Sequence, residues 1–137
     1  MNPNVKAQPV ANKLFLPSKR AAAIIAGLGL AALGAALWLR YGIIQNSELG
    51  VACEAGEEEE GLGCQFRLGV IMLFVYGVYG WAALIAALIQ LWRPNVVAFG
   101  MSIVFALLGL VLYNTRVSAL AAALLVLSLA RPSREGR

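Results

Sequence analysis

Four stretches without a single Asp, Glu, Lys or Arg govern what this chain can fold into: residues 21–39, 68–92, 95–115 and 117–130. About 20 apolar residues cross a bilayer core of about 30 Å, so the first three are each long enough and the fourth is marginal. A soluble domain is roughly half apolar; this chain is 61% hydrophobic. The pattern predicts an all-α, polytopic integral membrane protein, a four-transmembrane-helix bundle. Residues 1–20 form a cytoplasmic lead-in and residues 21–131 the membrane domain, with spans near 21–40, 68–92, 95–113 and 116–131. Residues 41–67 form a periplasmic loop and 132–137 a cytoplasmic tail.

Orientation follows from the basic residues. Lys6, Lys13, Lys19, Arg20, Arg93, Arg131, Arg134 and Arg137 fall on one side, and only Arg40, Arg67 and Arg116 on the other. Short cytoplasmic loops collect Lys and Arg, so both termini are expected inside. Lys19-Arg20 followed by an apolar run also has the form of a signal peptide, with Ala32-Leu33-Gly34 as a cleavage site. Against that, the run continues to Leu39 and ends in Trp38, Arg40 and Tyr41, an interfacial anchor set of a retained helix. Abundant Ala, Leu and Gly with few Lys fit a bacterial inner (plasma) membrane protein.

The connections differ in character. Pro94 disfavours helical geometry at Arg93, and Asn95 is placed to cap the next helix, which predicts a tight turn between antiparallel helices. The two last spans share so few residues that each reaches only about 25 Å, and the Tyr113-Asn114-Thr115-Arg116 turn is expected low in the outer leaflet. Arg116 would then snorkel to lipid phosphate or pair with the acidic loop.

Small residues mark the expected helix-packing faces. On the second span Gly69, Leu73, Tyr76, Gly80, Ala83, Ala87 and Gln90 recur at alternating spacings of four and three, the seam of a left-handed helix pair. Ala23, Gly27, Ala31 and Ala35 form a ridge on the first span. Both ridges are read first as packing within the bundle, with a surplus ridge suited to another integral membrane subunit.

Much chemistry is excluded. The chain has no His and no Asp, which removes bis-histidine haem, histidine-bearing zinc or copper sites and a Ser-His-Asp triad. No catalytic residue, metal, cofactor or nucleic-acid partner is expected. The spans also lack a carboxylate on which a proton-coupled carrier could be built. Small four-helix multidrug exporters are similar in length and helix count, but they depend on a first-helix Glu that is missing here.

Cys53 and Cys64 flank Glu54, Glu57, Glu58, Glu59 and Glu60 in the outside loop. In an oxidising periplasm the pair is read as a structural disulfide. Five carboxylates between the sulfurs disfavour a reactive thiolate. Four-helix quinone-linked disulfide-forming proteins share the topology but use a Cys-x-x-Cys and a second cysteine pair, both lacking here. The acidic run is a solvated loop tip or a docking patch for a basic periplasmic protein; it matches no calcium-loop spacing.

The functional expectation is a non-catalytic accessory, assembly or stabilising subunit of a larger inner-membrane complex, embedded in lipid and contacting other integral subunits. The alternatives are a thiol-disulfide oxidoreductase using Cys53 and Cys64, and a small transporter or flippase component whose cavity Tyr76, Tyr79, Gln90 and Ser102 would line.

Overall fold

The computed structural model describes residues 15–56 and 61–130, all helical or connecting segments with no strand among them. Ser18 starts α1 (Lys19–Trp38), its hydroxyl accepting from the Ala21 N–H at 3.3 Å. The helix runs directly into a π-helical stretch, Leu39–Ile44. Asn46 then caps the short α2 (Ser47–Glu54), accepting from the Glu48 and Leu49 N–H groups at 3.1 and 3.4 Å. Thus the region expected to be an open loop is half helical, and α3 (Leu62–Val75) begins inside it.

Sequence periodicity predicted one continuous second span over residues 68–92, and here the structure corrects it. Tyr76 ends α3, Gly77 adopts the left-handed conformation at φ 70°, and α4 (Val78–Trp92) leaves at an angle of 50°. Left-handed backbone costs any residue with a Cβ roughly 1–2 kcal/mol, so Gly77 is where the chain turns without strain. The seam is cut at that point. Gly80, Ala83, Ala87 and Gln90 are buried, whereas Gly69, Leu73 and Tyr76 lie on an exposed face of α3.

After α4 the backbone is extended at Arg93, ahead of Pro94, and Asn95 accepts from the Val97 N–H at 3.1 Å to start α5 (Val96–Val111). The turn through Tyr113, which has a positive φ of 65°, leads to α6 (Thr115–Leu129). Helices α4, α5 and α6 pack on one another, and α1 packs chiefly on α5. Ile25, Ala83, Ala87, Phe99, Ala106, Ala121 and Leu125 form the core.

The core owes its tightness to small side chains. Ser118 Oγ of α6 lies against Gly109 of α5, and a Cβ on Gly109 would stand 3.5 Å from the backbone nitrogen of Gly80 in α4. Three helices therefore converge on residues with almost no side chain. Ser102 is buried beside them, donating from its hydroxyl to the Ala83 carbonyl at 3.0 Å and tying α5 to α4.

The α1 ridge is a second correction. The buried face of α1 is Ile25, Gly29 and Ala36, while Ala23, Gly27, Ala31 and Ala35 point away from the bundle. Ile25 packs on Gly100 of α5, where a Cβ would be 3.4 Å from Ile25 Cγ1. Large aliphatic side chains gain more by burial than Ala or Gly do.

Among the described residues, only Lys19–Ile44 is, alone, a helix long and apolar enough to cross a membrane; the α3–α4 pair qualifies jointly across its bend, and α5 and α6 are apolar but shorter.

Candidate functional site

A cluster of polar and aromatic side chains lies at one end of the bundle, around the Leu112–Tyr113 turn. Two elements converge there. The π-helical stretch presents Arg40 and Tyr41, and α2 and α3 form a cap beside it.

The cap is stapled. Cys53 in α2 and Cys64 in the first turn of α3 are disulfide-bonded, with Cα atoms 5.8 Å apart. Arg67, one turn further along α3, lays its guanidinium against Gly50; a Cβ at Gly50 would sit 3.1 Å from Arg67 Nη2. Phe74 of α3 packs on Tyr113 with ring centroids 6.0 Å apart, joining the cap to the turn.

Arg40 reaches across from the π-helical stretch to the C-terminus of α5. Its Nη1 donates to the Val111 carbonyl at 3.1 Å, satisfying one of the carbonyls that a helix end leaves open. The guanidinium carbon lies 4.4 Å from the Tyr113 ring centroid and 5.6 Å from that of Tyr41, within cation–π range. Tyr113 is held in turn by Gln45, whose side-chain N–H donates to the tyrosine hydroxyl. Arg40 Nε and Arg67 Nε are both buried with no hydrogen-bond partner among the described residues.

The expected site residues divide. Cys53 and Cys64 come together as a disulfide. Glu54 is exposed at the end of α2, and Glu57, Glu58, Glu59 and Glu60 lie outside the described residues. Gly80, Ala83, Ala87 and Gln90 pack inside; Gly27, Ala31, Gly69 and Tyr76 face outward. The four side chains suggested for a transport cavity do not converge. Tyr76 is exposed, Ser102 is committed to Ala83, and Gln90 Oε1 accepts from the Asn95 N–H at 2.8 Å to close the α4–α5 turn. Among the described residues no group of three or more His, Cys, Asp or Glu is placed to hold a metal ion.

Sequence reasoning assigned Arg40 and Tyr41 to a membrane-interface anchor and left Tyr113 as an ordinary turn residue. The 71-residue separation of Arg40 from Val111 carries no local signal. The chain matches no protein-family model, no curated protein and no solved structure.

Proposed function

We propose that this chain crosses the bacterial inner membrane four times, with both termini cytoplasmic, and serves as a non-catalytic accessory, assembly or stabilising subunit of a larger membrane complex. Its first span is Lys19–Ile44, its second the bent α3–α4 pair, and its third and fourth the short helices α5 and α6. Apolar side chains are exposed on every side: Leu30 is 70% exposed on α1, Ile85 56% on α4 and Val126 67% on α6. Soluble monomers rarely leave such surfaces to water, and lipid covers them without cost.

The observation that carries the accessory role is the outward face of α1. Gly29, on the inner face, would place a Cβ 3.5 Å from Leu107 and 3.6 Å from Ile103, whereas at Gly27 and Gly34 nothing lies within 4 Å. Small residues four apart on a free helix face allow another helix to approach closely. In this reading other integral subunits meet the Ala23, Gly27, Ala31 and Ala35 face, and the acidic loop offers a docking patch to a basic periplasmic protein.

The test is purification in mild detergent with identification of what accompanies the chain, repeated for Gly27→Leu. Loss of the companions with an intact, inserted chain supports the proposal; no companion under any mild condition refutes it. Reporter fusions after Gly61 and after Arg137 test the topology and should report opposite compartments.

A further inference from the structure

Three unusual features of the described chain fall in one cluster. Leu39–Ile44 is π-helical, with the Gln45 N–H donating to the Arg40 carbonyl at 2.9 Å in the five-residue pattern. Such turns are rare and recur at functional sites. Tyr113 is the one non-glycine residue with positive φ among those described, a conformation kept only where surroundings hold it. Arg40 is a half-buried cation that meets no carboxylate among the described residues, and its Nε is enclosed without an acceptor.

These features orient one group. Val111 engages Nη1 and Nε is enclosed, which leaves Nη2 of Arg40 to donate to an oxygen of an anion. Tyr113 adds to it. Its hydroxyl accepts from Gln45 and so keeps its own proton for a further acceptor. Tyr41, Gln45 and Tyr113 are exposed, so a ligand reaches the cluster from outside the bundle.

Depth selects the ligand. Helix α5 starts directly after Pro94-Asn95 and has 16 residues, which span about 24 Å. Its end, where Arg40 binds, therefore lies just short of the far edge of a hydrocarbon core of about 30 Å. An arginine at that level extends to the phosphate layer.

We infer that Arg40 and Tyr113 form a binding site for the phosphodiester of a membrane phospholipid in the outer leaflet, with Arg40 Nη2 and the Tyr113 hydroxyl as donors. The site rests on the membrane reading above.

The experiment is native mass spectrometry of the detergent-purified chain titrated with phosphatidylglycerol, with inorganic phosphate and glycerol 3-phosphate as soluble comparisons. The wild-type chain should retain one phosphatidylglycerol, and Arg40→Gln should weaken retention roughly tenfold or more. Arg40→Lys should weaken it too, because a single ammonium nitrogen replaces the two that hold the Val111 carbonyl and the phosphate. Arg93→Gln, at the opposite end, should bind as wild type. Equal retention by Arg40→Gln overturns the site, and displacement of the lipid by inorganic phosphate at comparable concentration overturns the lipid as its occupant. If Arg40→Gln fails to fold, the wild-type chain decides: phosphatidylglycerol with a photoreactive headgroup should crosslink at residues 41–45 or 113, and crosslinks confined to other positions overturn the proposal. Extraction of the chain from membranes by alkaline carbonate would remove the membrane reading itself. An integral chain without headgroup binding removes only this site.

Discussion

Gly80 of α4 and Asn114, at the start of α6, are packed so closely that a side chain on the glycine displaces the carboxamide: a Cβ there would lie 2.7 Å from Asn114 Nδ2 and 2.8 Å from Cγ. The Asn114 amide nitrogen is buried and has no hydrogen-bond partner among the described residues. Close approach of α4 to the α5–α6 turn therefore depends on Gly80 and on the placement of one carboxamide.

Gly80→Leu should destabilise the chain by about 1–3 kcal/mol through overpacking. Gly80→Ala should cost less, because the end of the Asn114 side chain can swing away, and Asn114→Ala should relieve that cost. A double-mutant cycle on thermal stability in detergent reads the coupling. Gly27→Leu, on the free face of α1, should leave the isolated chain as stable as wild type. Equal losses at Gly80 and Gly27 would mean that both faces are internal.

The bend at Gly77 makes a separate expectation. Gly77→Ala forces a Cβ into the left-handed region and should lower stability by about 1–2 kcal/mol. Gly77→Asn should lose less, since Asn tolerates that conformation. Thermal unfolding of the three chains checks the order, and an alanine variant as stable as wild type would contradict the left-handed turn.

Replacing Cys53 and Cys64 by Ser should release α2 from α3 at a cost of roughly 3 kcal/mol for a ring of this length, while the α4–α6 core stays folded. Limited proteolysis should then cut near residues 55–61 before any other site. A mixed disulfide trapped by a single-cysteine variant would argue instead for the oxidoreductase alternative.

Substituting Glu57, Glu58, Glu59 and Glu60 by Gln should weaken capture of a basic periplasmic protein and flatten its dependence on ionic strength, because screening acts only on a charged patch. Co-purification across a salt series measures it, and unchanged salt dependence would assign any docking to other residues.

What the sequence by itself determined is local. The charge-free runs 21–39, 95–115 and 117–130 place α1, α5 and α6; Pro94 and Asn95 place the α4–α5 turn, where Asn95 caps α5; and two cysteines bracketing an acidic loop form the disulfide. Each rests on the chemistry of neighbouring residues, which the chain carries wherever it folds. The tertiary structure alone decided three other matters. Gly77 turns left-handed while Gly69 and Gly80 remain helical, since glycine accepts both conformations and only the packing of α4 against α5 and α6 selects one. Helix α1 carries Ala and Gly on several faces, so its spacing did not show which would turn inward; its packing on α5, which buries Ile25, Gly29 and Ala36, did. Arg40 finds Val111 and Tyr113 only because α1 and α5 lie side by side, a contact between distant parts of the chain that no local pattern encodes.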